Sequence, residues 1–222
     1  MVNFLKQLLD WIYHKKCYCC NRASAEGWIC EDCTESIDLN APTPIKNIAG
    51  VRVYSAGSYG GNLRKIIKGL KYHRKKDFAK FAAKILYEYW LELDVEKKNY
   101  TIISVHMHKN RKRKRGYNHT ELIAEEFSRL TGYPADNSMI FRVKDTRPLY
   151  GLSRAQRMDA IQGAFEAVTK NYKNTPLLII DDICTTGATL GEIIGTLNRQ
   201  NIEDITALVI ANPLNPNNVN IL

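Results

Sequence analysis

One stretch of the chain passes from apolar to acidic to hydroxyl-rich residues: Leu177-Leu178-Ile179-Ile180-Asp181-Asp182-Ile183-Cys184-Thr185-Thr186-Gly187-Ala188-Thr189-Leu190. Its four apolar residues at the start are typical of a strand buried on both faces of a parallel sheet. Two adjacent carboxylates follow, and then a short threonine-rich turn precedes an amphipathic run. In open α/β sheets, ligands bind beyond the carboxyl ends of strands, and anions bind at helix N-termini. The stretch therefore predicts a phosphate cradle with two acids beside it.

The residue types of this turn suit a sugar phosphate. Gly187 allows a tight turn and a close approach of the backbone to a ligand. The free N–H groups of the first helical residues point at an anion, and the helix dipole favours negative charge there. The three threonines add hydroxyl donors. The two aspartates can accept hydrogen bonds from sugar hydroxyls or hold Mg²⁺, which prefers carboxylate oxygen.

The order and spacing of the acids and of Thr-Thr-Gly resemble the 5-phosphoribosyl-1-diphosphate (PRPP) signature of the type I phosphoribosyltransferases. A buried strand followed by an ordinary threonine N-cap is the alternative, and it leaves two carboxylates at a strand end unexplained. The resemblance assigns Asp181 and Asp182 to the ribose hydroxyls, directly or through Mg²⁺. The residues that it assigns to the 5-phosphate are Ile183, Cys184, Thr185, Thr186, Gly187, Ala188 and Thr189.

The length of 222 residues suits one α/β domain with a small appendage, and the formal net charge is +9. Six of the seven residues from Lys109 to Arg115 are basic, and without them the net charge would be about +3 (9 − 6). So concentrated an excess favours a site for polyanions, with a mobile, solvated loop as the alternative.

The N-terminus and the hydropathy of the chain bear on its location. No apolar run approaches the roughly 20 residues that span a bilayer. Residues 1–13 carry Lys6 and Asp10 inside their apolar pattern and have no cleavage-like site, so they do not predict a signal peptide. We therefore expect a cytoplasmic protein. Residues 4–13 predict a short amphipathic helix that packs on the core, with a membrane-surface role as the alternative.

Two CxxC pairs, Cys17/Cys20 and Cys30/Cys33, are separated by nine residues and predict a structural Zn²⁺ site of four thiolates. Such a site has no open position, so it would serve folding, to which metal binding contributes on the order of 10 kcal/mol in such modules. Disulfides are the alternative, disfavoured without a secretory signal. Cys19 is expected to be the spare, although it could compete with Cys20.

The remaining pattern predicts a small zinc-binding module over residues 1–40 and an α/β domain with a mostly parallel sheet over 41–222. Residues 38–50 are expected to be a linker. Asn118 and Glu121 predict a capping box after a basic loop, and Ser153 with Gln156 predicts another. Other predicted strands lie at 51–56, 101–106, 139–143 and 205–210, and other predicted helices at 63–70, 77–93, 118–131, 153–160 and 190–201.

With these segments placed, the chain resembles the ComF competence family of bacteria nearly end to end. The shared motifs are the four-cysteine knuckle, Tyr59-Gly60-Gly61, Arg115-Gly116-Tyr117-Asn118, Gly163-Ala164-Phe165 and the PRPP loop. The resemblance implies a type I phosphoribosyltransferase-like fold and a role in DNA uptake and natural transformation.

The resemblance also implies where the diphosphate of PRPP would lie. Lys71, His106, His108 and Lys109 would be on the pyrophosphate side, and Arg115 would act with the two aspartates in catalysis. Transfer would pass through an oxocarbenium-like state and release pyrophosphate. Whether the chain turns PRPP over or only binds it stays open. His108 and His119 lie beside the site, where such histidines are usually solvated loop residues.

The competing class is a non-catalytic, zinc-containing accessory protein that binds single-stranded nucleic acid or a partner of the DNA-uptake machinery. Its basic loops would follow a phosphate backbone without sequence preference. The contacts expected there are Arg111, Lys112, Arg113 and Lys114, with help from the basic helix of residues 64–76.

Overall fold

The computed structural model describes residues 16–24, 28–146, 153–170 and 172–213. The helix predicted over residues 4–13 lies outside them. The described helices are α1 (Glu31–Glu35), α2 (Gly61–Tyr72), α3 (Phe78–Glu92), α4 (Lys109–Arg115), α5 (His119–Thr131), α6 (Arg154–Ile161) and α7 (Ala188–Asn198). The strands are β1 (Lys46–Ile48), β2 (Val51–Ser58), β3 (Thr101–Ser104), β4 (Ile140–Arg142), β5 (Phe165–Ala167), β6 (Leu177–Ile183) and β7 (Ile205–Asn212).

Five strands form the central sheet in the order β1-β2-β7-β6-β3. All neighbours from β2 to β3 pair in parallel, and β1 pairs with β2 in the antiparallel direction. β6 therefore has a hydrogen-bonded neighbour on each side, and its first four residues are fully buried. The prediction of a strand buried on both faces is confirmed, and the carboxyl ends of β3, β6 and β7 meet at one edge of the sheet.

The two faces of the sheet bury separate apolar clusters. Leu178 and Ile180 pack in the cluster that contains the apolar faces of α2, α3 and α5. Leu177 and Ile179 pack in the other cluster, with α7. This alternation is the two-residue period of a strand. The predicted class is confirmed: a mixed α/β fold with a mostly parallel sheet, flanking helices and an N-terminal cysteine cluster.

Residues 38–50 were expected to be a linker, but they contain β1. Ile48 pairs with Val51 across a two-residue turn formed by Ala49 and Gly50, which have φ values of 49° and 87°. Two positive φ values are what a type I′ hairpin turn requires. Alanine rarely adopts such a φ, so the sequence carries only a weak signal for this hairpin.

The basic run was expected to be a loop, but it forms the helix α4. Lysine and arginine are good helix formers, and Gly116, with a φ of 86°, ends the helix. The capping box predicted for α5 is also wrong. Asn118 holds the N-cap position, but its side-chain amide donates to the Val105 carbonyl, and Glu121 binds Lys112 instead. The capping box of Ser153 and Gln156 is confirmed.

Among the helices of the described residues, none combines the length and the apolar character needed to cross a membrane.

Candidate functional site

The two aspartates at the end of β6 are both buried, and they face different surroundings. Asp181 lines a small open cavity whose other walls come from the loop after β6 and the first turn of α7. Asp182 instead contacts side chains of α2 and α5. Neighbouring residues of a strand point to opposite faces of a sheet, so the adjacent acids are separated. Only Asp181 lines the loop cavity.

The loop between β6 and α7 enters the helix at a glycine in the left-handed conformation. Gly187 is the N-cap of α7 with a φ of 83°, and a Cβ atom there would lie 2.5 Å from Ile48 Cδ1. The backbone conformation therefore favours glycine, and the side chain of Ile48 in β1 packs closely against it. The first N–H groups of α7 have no partner within the helix, and the residues that carry them line the cavity. Burial raises the pKa of Cys184 to about 11, so this thiol packs as an apolar group.

Two cations that the sequence did not assign to the site hold the loop. The Lys46 ammonium donates to the Thr185 carbonyl, and Arg157 Nη1 donates to Thr185 Oγ1 at 2.9 Å. Thr186 Oγ1 accepts a 3.3 Å hydrogen bond from the Ala188 N–H. Lys46 was missed because its segment was interpreted as a linker. Both cations bring positive charge to the place where an anion would bind.

Asp182 is the centre of a buried network. Lys71 Nζ and His119 Nε2 each lie 2.6 Å from Asp182 Oδ2. Arg115 Nη1 lies 2.9 Å from His119 Nδ1. Because a guanidinium can only donate, Nδ1 of His119 accepts and its Nε2 carries the hydrogen that is donated to Asp182. Burial lowers the pKa of His119, which keeps this imidazole neutral.

The two carboxyl groups differ in charge. Burial, followed by the charge of Asp182, raises the pKa of Asp181 well above its ordinary value. Burial would also raise the pKa of Asp182, but the Lys71 ammonium and the hydrogen bond from His119 hold it well below its ordinary value. Asp182 is thus the ionised member of the pair, and Asp181 is the one that favours a proton. A protonated carboxyl can both donate to and accept from a ligand hydroxyl.

The histidines near the basic helix are buried, so the expectation that His108 and His119 are solvated is wrong. His108 Nδ1 lies 3.4 Å from Asp145 Oδ2 and accepts from the Asn110 N–H at the start of α4. His106 Nε2 lies 3.4 Å from Glu121 Oε1. These side chains bind acids of their own chain and do not line the loop cavity.

The cations of α4 divide into two sets. Arg111 donates to the Thr146 carbonyl, and Lys112 Nζ lies 2.7 Å from Glu121 Oε2. Arg115 belongs to the network of Asp182 described above. The other three are exposed and form no hydrogen bond or ion pair with the described part of the chain: Lys109, Arg113 and Lys114. One side of the helix is therefore anchored to the protein, and the other carries exposed cations.

The four predicted cysteine ligands come together. The sulfur atoms of Cys17, Cys20, Cys30 and Cys33 all lie within 4.8 Å of one another, and the Cys20–Cys30 pair is 3.7 Å apart. Sulfurs of a tetrahedral Zn²⁺ site with Zn–S bonds of about 2.3 Å would be separated by about 3.8 Å. None of the six cysteines, all of which are described, forms a disulfide, and Cys19 lies outside the group.

The surroundings of the sulfur atoms also suit a metal. Cys17 Sγ accepts backbone N–H bonds from Cys19 and Cys30, each at 3.4 Å. A hydrogen bond from Arg22 lowers the pKa of Cys20 to about 6, which favours the thiolate that binds metal, whereas burial raises the pKa of Cys33. The cluster can therefore hold a metal ion such as zinc.

No family model matches the chain. The chain is 37% identical over 106 residues to competence protein F of Haemophilus influenzae, a match that covers 47% of this chain and 46% of that protein. It is 27% identical over 154 residues to the DNA utilization protein YhgH of Salmonella typhi, covering 67% and 66%, and 26% identical over 156 residues to YhgH of Escherichia coli strain K12, with the same coverage. The matches thus span about half to two thirds of these relatives, and they confirm the resemblance seen in the motifs.

One solved structure, described as the glutamine mutant of an invariant aspartic acid in HPRTs, covers 63% of this chain and 68% of its own. It shares 14% sequence identity with this chain, and its TM-score is 0.36. At that distance it carries no argument about the site.

Proposed function

We propose that the chain binds a phosphoribosyl ligand, PRPP or a close relative, at the loop of residues 183–189, and that it acts in DNA uptake. One observation carries the ligand: the left-handed Gly187 opens the N-terminus of α7 directly beside the buried carboxyl of Asp181. The helix end suits a phosphate, and the carboxyl suits a sugar hydroxyl. The names of the relatives, competence protein F and DNA utilization protein, support the cellular role.

The charges around the loop support a doubly anionic ligand. Lys46 and Arg157 lie at the phosphate end and can balance its charge. Lys71 and Arg115 contact Asp182 and its partner His119, and the resemblance assigns the diphosphate to this side of the acids. Lys71 is held by Asp182, so this cation is positioned before the ligand arrives. Preorganised cations of this kind stabilise a leaving pyrophosphate without reorganisation.

The arrangement favours ligand binding over acid–base chemistry by the protein. His119 is the histidine nearest to the two aspartates, and both of its ring nitrogens are engaged, by Arg115 and by Asp182. It therefore has no free nitrogen with which to deprotonate an acceptor. If the chain is a transferase, its acceptor must attack without being deprotonated by His119.

Two metals belong to this proposal. The four clustered cysteines would hold Zn²⁺ in a closed site that stabilises the N-terminal segment. Mg²⁺ would enter with the diphosphate, and Asp181 is the carboxylate that lines the cavity. Binding of Mg²⁺ would favour the ionised form of Asp181 and so oppose the effect of its burial.

Calorimetric titration with inorganic phosphate, ribose 5-phosphate and Mg²⁺–PRPP tests the ligand. Thr189→Val removes a hydroxyl donor without changing the side-chain shape, and it should weaken all three ligands by roughly tenfold or more, the value of a hydrogen bond to a charged group. Asp181→Asn should weaken the two sugar phosphates and leave inorganic phosphate unchanged. Thr131→Val, at the end of α5, is the matched control. Absence of binding by any of the three ligands, or wild-type affinity in both variants, would refute the proposal.

A further inference from the structure

Arg142 occupies a position of β4 that faces the core. Successive residues of a strand point to opposite faces, so Arg142 shares its face with Ile140, which is buried in the apolar cluster on the α7 side of the sheet. Ile179 of β6 belongs to the same cluster, and Asp181 follows it on the same face of the central sheet. Arg142 pairs with Phe165 of β5, and its guanidinium carbon lies 5.5 Å from the centroid of that ring. The arginine is therefore on the Asp181 side of the acid pair.

A second arginine meets Arg142 at one residue, Thr146. Arg142 Nη2 donates to the Thr146 hydroxyl, and Nη2 of the half-buried Arg111 in α4 donates to the Thr146 carbonyl. Asp145, the preceding residue, accepts a hydrogen bond from Asn110 at 2.7 Å. Two guanidinium groups thus converge on one threonine, and neither forms an ion pair with an acid in the part of the chain that the structure describes.

The Arg142 guanidinium has an unsatisfied donor. Its Nε atom is buried and has no hydrogen-bond partner among the described residues. Burial, followed by the charge of Arg111, lowers the pKa of Arg142 to about 10, and the charge of Asp181 opposes this shift. An arginine with this pKa is still protonated at pH 7, and a buried N–H without an acceptor costs about 1–3 kcal/mol. An anionic ligand that accepts from Nε would recover this cost.

The position of Arg142 suits the acceptor of a transfer reaction. A guanidinium presents its N–H groups in a planar fork that matches the two oxygens of a carboxylate. Lys71 and Arg115 lie on the Asp182 side, to which the resemblance assigns the diphosphate. In an inverting displacement at a sugar carbon, the nucleophile and the leaving group lie on opposite faces of the ring. The Asp181 side is then the side of the incoming nucleophile.

We propose that Arg142, supported by Arg111, binds the carboxylate of a small anionic acceptor. This inference rests on the proposed phosphoribosyl site. Because both ring nitrogens of His119 are engaged, the nucleophile must carry a lone pair of its own, as the ring nitrogen of a pyridine carboxylate does. That lone pair would form the bond to C1 of the ribose. The bond from C1 to the diphosphate oxygen would break, and pyrophosphate would leave with its electron pair.

Calorimetric titration of the full chain with nicotinate and nicotinamide tests the proposal, because these pyridines have the same shape and differ by one negative charge. With ribose 5-phosphate at saturation, nicotinate should bind roughly tenfold or more tightly than nicotinamide. Arg142→Gln should weaken nicotinate binding by roughly 10- to 150-fold, the value of a hydrogen bond to a charged group, and leave nicotinamide and ribose 5-phosphate unchanged. Arg129→Gln, which removes an exposed guanidinium from the last turn of α5, is the matched control.

A second variant and thermal melts separate ligand binding from a structural role. Thr146→Val removes the hydroxyl that positions Arg142 without changing the side-chain shape, and it should weaken nicotinate binding by roughly 2- to 12-fold. Arg142→Gln should not lower the Tm, since it removes a buried N–H that has no acceptor among the described residues.

Equal affinities for nicotinate and nicotinamide, or absence of nicotinate binding, would overturn the inference. So would a lower Tm of Arg142→Gln with unchanged nicotinate affinity, which would mark a structural arginine. Weaker binding of Mg²⁺–pyrophosphate by Arg142→Gln would assign the arginine to the diphosphate and would also overturn it. Nicotinate is titrated into the free chain as well. Binding there that depends on Arg142, without any binding of ribose 5-phosphate, would refute the proposed function and leave the carboxylate site standing.

Discussion

Replacement of Gly187 by alanine tests the geometry of the loop most directly. A residue with a Cβ atom pays about 1–2 kcal/mol for the left-handed conformation that Gly187 adopts at a φ of 83°. The new methyl group would also lie 2.5 Å from Ile48 Cδ1, the end of a flexible, half-buried side chain, and displacing that side chain from its rotamer costs about 0.5–1.5 kcal/mol. The two terms together predict a loss of about 1.5–3.5 kcal/mol, which for a chain of this size lowers the Tm by roughly 3–14 °C.

Two matched variants separate these terms. Gly132 has a similar φ of 76°, and a methyl group added there would have no atom within 4 Å, so Gly132→Ala should show the conformational cost alone, a Tm decrease of roughly 2–8 °C. Ile48→Val removes the clashing Cδ1 atom and should recover part of the loss in the Gly187→Ala background. Thermal melts of the single and double variants give this coupling, expected to be about 0.5–1.5 kcal/mol.

Ligand titration completes the experiment. Gly187→Ala should lose affinity for ribose 5-phosphate because the added Cβ atom strains the left-handed conformation of the loop, whereas Gly132→Ala, outside the loop, should bind as the wild type does. Equal melting temperatures for the two alanine variants, together with equal affinities, would show that contact with β1 does not set the shape of the loop.

Further predictions concern the acids and the cysteines. Asp181→Asn should raise the Tm at pH 7, because burial raises the pKa of Asp181 and the wild-type fold loses stability as pH rises above about 4, where the unfolded carboxyl ionises first. Asp182→Asn should lower the stability by about 3–5 kcal/mol at pH 7, because it leaves Lys71 buried without its counter-charge. This loss of stability should vanish as pH falls through the depressed pKa of Asp182. Melts of both variants at several pH values test the predicted rise and fall in Tm, and Tm shifts of the same sign in the two variants would contradict the charge assignment. Cys20→Ser should lose bound zinc by atomic absorption and lower the Tm, while Cys19→Ser should keep one equivalent, and equal metal contents would contradict the ligand assignment.

The features that could be predicted from the sequence are those that depend on short runs of consecutive residues. The strand, the acids and the turn of residues 177–190 follow from composition and spacing over 14 positions. The CxxC pairs follow in the same way. In both cases the local sequence is enough to predict the arrangement of the side chains, because the period of a strand and the spacing of a CxxC pair are properties of short segments.

The features that were missed depend on contacts between distant segments. His119 meets Asp182 across 63 positions, and no local pattern marks that contact. The role of Lys46 was not predicted because the hairpin that carries it was not recognised. Its turn has Ala49 at a positive φ, where glycine or asparagine would have indicated a hairpin turn. The run of like charges in α4 was interpreted as a loop, since its anchors are Glu121 and residues near Thr146.

The position of β1 limits how the chain can be divided. A fragment that begins after Gly50 would retain the complete PRPP signature but would lose Lys46 and Ile48. These two side chains contact the loop at Thr185 and at Gly187. Leu39 also bridges to Gly57 in β2, so the contacts with the sheet begin still earlier. The signature is therefore not a transferable unit: a shortened protein that keeps the contacts of β1 with the binding loop must begin before Lys46.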